Sequence, residues 1–178
     1  MQLKYLTALV AMLMSLSCQA IDLAGVSVEG GSGPKVRMLR LGVQSNWERR
    51  WLVSNGTHVG GHWDASIAQW RGSASRDFPG RSQHITSIGL TPVFRLQADD
   101  LKGWYAEGGI GANLLSSLYK NNGDTLSTSF QFSDHLGVGY VFEHGWDVGI
   151  KFQHYSNGGI KEPNSGVNFT LIRVARQF

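Results

Sequence analysis

Alternation of apolar and polar residues with a period of two is the feature that most restricts how this chain can fold. From Trp146 the even positions read Trp146, Val148, Ile150, Phe152 and His154, and the odd ones Asp147, Gly149, Lys151, Gln153 and Tyr155. Successive strand side chains point to opposite faces, so the segment has one greasy face and one polar face. Residues 88–97 repeat this, with Ile88, Leu90, Pro92, Phe94 and Leu96 set against Gly89, Thr91, Val93, Arg95 and Gln97. Residues 130–142 do so again: Phe130, Phe132, Leu136, Val138, Tyr140 and Phe142 oppose Gln131, Ser133, His135, Gly137 and Gly139. Runs at 23–30, 36–46, 57–70, 103–115 and 167–178 bring the strands to eight. An even number of two-faced strands predicts an all-β, eight-stranded antiparallel transmembrane β-barrel.

Past residue 20 no window approaches the ~18 consecutive apolar residues of a membrane helix, but a strand of about 9–11 residues also crosses a bilayer. With the N-terminus periplasmic, the connections 31–35, 71–83, 116–126 and 157–166 fall on the far side, and 47–56, 98–102 and 143–145 on the near side. Membrane barrels have short periplasmic turns and longer external loops. The gaps 31–35 and 47–56 break that rule. A soluble lipocalin-like barrel hides its apolar face around a ligand, whereas a membrane barrel turns it to lipid. Three features favour lipid: a polar inner face, aromatics at strand ends (Trp47, Trp51, Trp70, Trp104, Trp146), and a C-terminal Phe178 in line with Val174 and Ile172. Arg176 interrupts that last stripe.

Residues 1–20 read as a cleaved secretory signal, with Lys4, an apolar run from Leu6 to Leu16 and a small-residue exit at Cys18-Gln19-Ala20. A single domain, 21–178, remains. The only cysteine, Cys18, leaves with the signal, which excludes a disulfide scaffold and a cysteine enzyme. Glycine supplies 23 of 178 residues, well above the usual ~7%, which disfavours a helical bundle. The mature charge, 15 basic minus 13 acidic residues, is too slight for a nucleic-acid partner. His58 and His62 have helical zinc spacing, but on a strand i and i+4 lie about 13 Å apart, so no metal is expected there.

His154 and Ser156 are i and i+2 on a strand. They point the same way with Cα atoms about 6.5–7 Å apart, which suits a base-activated nucleophile. They continue the stripe of Phe152 and Ile150 and so face lipid, where polar groups are costly unless functional or paired. The plain alternative is a strand that has left the hydrocarbon and enters a Ser-Asn-Gly-Gly turn. On these residues alone both readings stand.

The run His154-Tyr155-Ser156-Asn157-Gly158-Gly159-Ile160-Lys161-Glu162-Pro163-Asn164-Ser165-Gly166 resembles the signature of the PagL-type lipid A 3-O-deacylases, outer-membrane esterases on an eight-stranded barrel. The likeness extends to Gly60-Gly61-His62-Trp63-Asp64, Thr91-Pro92-Val93-Phe94, Glu107-Gly108-Gly109-Ile110-Gly111 and Phe132-Ser133-Asp134, nearly the whole mature chain. The resemblance implies Ser156 as nucleophile, His154 as general base, and an oxyanion hole from the Asn157 region and the Gly158 backbone. It implies hydrolysis of the acyl ester at the 3-position of lipid A in lipopolysaccharide, releasing a 3-hydroxy fatty acid without metal or cofactor.

The chain departs from the family at one site residue. The family's glutamate fourteen residues after the histidine is here Asn168, which cannot stabilise an imidazolium as a carboxylate does. Antiparallel pairing about His144 offers a substitute: Asp134 falls opposite His154, within roughly 5 Å at Cβ. The expected triad is Ser156, His154 and Asp134; Glu162, in a loop, is less well placed. The pair sits at the external end of strand seven, facing outer-leaflet lipid in the outer membrane. Arg71, Arg76, Arg81, Lys120 and Lys161 on far-side loops collectively suit an anionic surface. A non-catalytic barrel serving as anchor or adhesion surface and a periplasmic lipid-binding barrel are the competing classes. The sequence leaves room for a homodimer, which would restrain access to lipid.

Overall fold

The computed structural model describes residues 22–178, so the expected signal segment lies outside the described residues. Eight long strands carry the fold: β1 (Gly25–Gly33), β2 (Val36–Asn46), β3 (Thr57–Gly72), β4 (Gln83–Ala98), β5 (Gly103–Leu115), β6 (Phe130–Val141), β7 (Trp146–Ser156) and β8 (Val167–Gln177). Each pairs antiparallel with the next, and β8 returns to β1 from Gly25↔Gln177 to Ser32↔Thr170. Closure leaves no edge of unpaired backbone groups, the condition for crossing a membrane with strands. The eight-stranded antiparallel barrel is as the sequence predicts.

The alternating faces sort as the period requires. Leu136 (72% exposed), Ile110 (66%), Phe152 (62%), Leu39 (56%) and Ile172 (55%) belong to an apolar outer belt. The opposite parity fills the lumen with charge. Glu29 takes Arg40 at 3.0 Å, Lys151 at 2.6 Å and Arg173 at 3.7 Å, and Arg40 also reaches Asp64 at 3.0 Å. Arg95 bridges Glu107 at 2.6 Å and Asp147 at 3.0 Å; Asp147 also takes Arg173 at 2.6 Å. Four cations thus meet four carboxylates, a lining unsuited to a fatty ligand. Removing one partner from a buried pair leaves an uncompensated charge. Glu29→Gln, which leaves Lys151 without a carboxylate and takes one from Arg40 and Arg173, is therefore expected to cost about 3–5 kcal/mol in urea unfolding from lipid vesicles. A loss below about 1 kcal/mol, the scale of an exposed pair, would show the network to be solvated.

Towards the loop end the polarity inverts. The lumen there holds an apolar plug of Val36, Met38, Trp70, Tyr119, Tyr155 and Phe169, among others. Trp70, expected in the interfacial girdle, is instead fully buried within this plug. Its ring packs edge-on against Tyr155 at 4.6 Å and Phe169 at 4.9 Å. The reason is parity: Gln69 and Arg71 on either side are exposed, so Trp70 must point inward. The same inversion explains why β4 begins at Gln83 and not near Ile88. Its outward residues there, His84 and Thr86, lie above the apolar belt and break the pattern.

The connections also differ in detail. β1 runs to Gly33, leaving Pro34 and Lys35 as a tight turn, with Lys35 at φ 67°. The 47–56 connection contains a short strand, Trp51–Ser54, which pairs with the start of β3. Between β5 and β6 the chain makes a small hairpin, Lys120–Asn121 with Asp124–Thr125. This hairpin ties the loop end together. Lys35 Nζ lies 3.0 Å from Asp124, Asn121 Nδ2 donates to Ser73 O at 3.2 Å, and Ser165 N donates to Thr125 O at 3.0 Å. Ser127 Oγ donates to Pro163 O at 2.6 Å, and Leu126 bridges to Asn164. The 157–166 loop is thereby held over the end of β7.

Candidate active site

β7 delivers His154 and Ser156 to the loop end on its outer face, both half-buried, while the alternating Gln153 and Tyr155 point inward and are buried. The turn before β7 is tight because His144 and Gly145 take left-handed backbone, at φ 59° and 74°. It fixes the register the sequence predicts, with Gln153 opposite His135 and His154 opposite Asp134. On the other side His154 lies directly opposite Asn168 of β8. The imidazole is therefore flanked by a carboxylate on one neighbouring strand and an amide on the other.

The amide makes the contact. His154 Nδ1 lies 2.6 Å from Asn168 Oδ1. A carbonyl oxygen only accepts, so the bond requires the proton on Nδ1 and leaves Nε2 unengaged by Asn168. The expected bond from His154 to Asp134 is not made. Asn168 takes Nδ1, and Asp134 stands exposed across the strand pair. Glu162 is committed elsewhere, accepting from Asn164 N at 2.8 Å within its own loop.

The turn after Ser156 is built around Asn157, which is fully buried. Its Nδ2 donates to Lys161 O at 2.6 Å, its Oδ1 accepts from Gly159 N at 2.9 Å, and its backbone N donates to Asn164 Oδ1 at 3.1 Å. Both Asn157 donors are thus engaged in shaping the loop. The Gly158 amide has no acceptor among the described residues and sits in left-handed backbone at φ 64°. Of the two expected oxyanion residues, Gly158 offers the free donor, and Asn157 holds it in place.

Gly166 is a site residue that the spacing of His154 and Ser156 does not reveal. It has φ 69°, and a Cβ placed on it would lie 2.6 Å from His154 Cε1 and 3.3 Å from Nε2. The imidazole edge rests on the bare backbone at this point. Its trace in the sequence is its place at the end of the 154–166 run, two residues before Asn168. Below the imidazole an outer groove is lined by Asp134, Leu136, Phe152, Asn168, Thr170 and Ser32. Of the cations expected on far-side loops, Arg76, Arg81, Lys120 and Lys161 are exposed there, whereas Arg71 lies on β3.

A base and a hydroxyl on the outside of a barrel suit an ester carried by a lipid. The family described as lipid A 3-O-deacylase (PagL) matches residues 37–177. The chain belongs to this family. A curated relative named lipid A deacylase PagL, from Pseudomonas aeruginosa, is 31% identical over 161 residues, covering 90% of each chain. Its namesake from Bordetella bronchiseptica is likewise 31% identical over 161 residues, covering 86% of this chain and 83% of its own. Among solved structures, the outer membrane enzyme PagL superposes with a TM-score of 0.75 at 26% identity, covering 87% of this chain and all of that one. Neisserial surface protein A shares the fold, with a TM-score of 0.55 at 13% identity, covering 87% of this chain and 94% of its own. As a PagL-family barrel, the chain is a protein of the outer membrane, and the groove and the imidazole lie on its outer face.

Proposed function

We propose that the protein is an outer-membrane serine esterase that hydrolyses the acyl chain ester-linked at the 3-position of lipid A, remodelling lipopolysaccharide. The observation that carries this reading is His154, held at Nδ1 by Asn168 at 2.6 Å, two residues from Ser156 on the outer face of a PagL-family barrel. The loop end faces the outer leaflet, and the scissile acyl chain lies along Phe152 and Leu136 in the groove.

Ser156 Oγ attacks the ester carbonyl carbon while His154 Nε2 takes its proton. The Gly158 N–H donates to the oxyanion that forms. The tetrahedral intermediate collapses, the C–O bond to the sugar breaks, and the imidazolium returns its proton to the leaving sugar hydroxyl. Water, deprotonated by the same nitrogen, then releases the 3-hydroxy fatty acid from Ser156. Asn168 keeps the ring in the productive tautomer throughout. Asp134 lies across the strand pair without touching the ring.

The expected chemistry is checked by labelling the purified, detergent-solubilised protein with a fluorophosphonate probe. Stoichiometric labelling at Ser156, abolished in His154→Ala, supports the reading. Labelling that survives Ser156→Ala contradicts it.

A further inference from the structure

The outward row one step below His154 runs round the barrel through Phe152, Thr170, Ser32, Arg37, Arg71 and His84, each directly opposite the next. Its first members lie in the groove beneath the imidazole. Its last three are cationic or titratable. Arg37 and Arg71 face each other across the β2–β3 pair, and both are exposed on the outer surface. Like charges directly opposite one another destabilise a sheet. The lumen arginines Arg40, Arg95 and Arg173 all pair with carboxylates, whereas Arg37 and Arg71 pair with none among the described residues. Among those residues the sole side-chain partner of Arg71 is Ser82 Oγ, at 3.4 Å.

Their height on the barrel matters as much as their charge. Towards the turn end the same two strands present Leu39, Leu41 and Ile67, each at least half exposed on the outer surface. The guanidinium pair therefore sits just beyond the apolar belt, on the face that meets lipid headgroups. β2 is three strands round from β7, roughly 14 Å at the usual strand spacing. The pair thus shares a continuous outer surface with the groove.

We propose that Arg37 and Arg71 form a phosphate-binding site for the phosphorylated sugar headgroup of the lipid substrate, with His84 at its edge. Arginine forks match phosphate oxygens with paired N–H donors, and one phosphate between two guanidiniums removes the repulsion the bare pair carries. The acyl ester and the phosphate would then be held at two points on one surface, which aligns the ester with Ser156. This rests on the esterase reading above.

The test compares wild-type protein with the double variant Arg37→Gln/Arg71→Gln in neutral detergent, on lipid A and on chemically dephosphorylated lipid A. Wild type is expected to show a KM about tenfold lower for the phosphorylated lipid, a difference of about 1.4 kcal/mol. The double variant is expected to lose that preference, its two KM values coming within about twofold of each other, a residue of roughly 0.4 kcal/mol. An undiminished preference, or a KM rise equal on both lipids, overturns the site. Binding of each lipid to Ser156→Ala protein, with and without the two arginine substitutions, reads the same discrimination without turnover. If wild type hydrolyses neither lipid the esterase reading fails, and the site stands or falls on whether the arginines set the binding preference.

Discussion

Gly166→Ala is expected to lower kcat for lipid A about a hundredfold while leaving KM unchanged, the scale at which a misplacement near 1 Å acts on a preorganised site. The new methyl would lie 2.6 Å from His154 Cε1, so the ring must move. Moving it stretches the Asn168 bond and shifts Nε2 from its place on the outer face. A second effect has to be separated from the first, because φ 69° is strained for alanine. Gly166→Asn separates them. Asparagine tolerates left-handed backbone yet brings the same Cβ, so it should be as slow as the alanine variant. Gly80→Ala isolates the backbone cost alone: Gly80 has φ 70°, and no atom lies within 4 Å of the place its methyl would take. It should keep full activity. Recovery in Gly166→Asn would assign the loss to backbone strain and remove the positioning role. Heat-modifiable mobility on gels reports that each barrel has folded, and if the alanine variant fails that check the asparagine variant is read in its place.

Asn168→Ala should be of similar severity, lowering kcat about a hundredfold, within the range general-base catalysis contributes. Its side-chain oxygen is the only group among the described residues bonded to the His154 ring, and without it nothing selects the Nδ1–H tautomer. Asp134→Asn, by contrast, removes a charge that makes no hydrogen bond to the ring, so a loss of no more than about fivefold, roughly 1 kcal/mol, is expected. Asn168→Asp keeps the acceptor and adds a negative charge, and should raise kcat several-fold, on the order of the strengthening a charged partner gives a hydrogen bond. Steady-state kinetics on purified variants decide the order. A larger loss in Asp134→Asn than in Asn168→Ala would return the role of orienting group to Asp134.

The barrel is legible in the sequence because its constraints are periodic. Tight pairing about His144 places Asp134 opposite His154 from arithmetic on the numbering, and the register agrees residue by residue along β6 and β7. The outer stripes of β4, β6 and β7 are equally plain, since lipid demands apolar side chains at every second position. Where lipid ends, so does that demand. Beyond the belt β4 presents His84 and Thr86 outward, and its first residues carry no readable pattern. The plug that buries Trp70 inverts the polarity rule for the lumen, so a tryptophan near a strand end reads as an anchor when it is core.

At the site, His154 and Ser156 are visible as two polar residues in a greasy stripe. Which neighbour holds the imidazole is not, because opposite residues on both flanking strands lie within reach and only side-chain geometry chooses between them. The choice falls on Asn168. Gly166 acts through the side chain it lacks, and the phosphate site joins residues of two strands whose pairing no local run of sequence displays.

The central claim is most directly tested by mass spectrometry of lipid A from bacteria expressing either the wild-type protein or Ser156→Ala. Lipid A from wild-type cells should lack one ester-linked 3-hydroxyacyl group, and lipid A from Ser156→Ala cells should be intact. Intact lipid A with the wild-type protein, or the same loss with Ser156→Ala, would contradict the account.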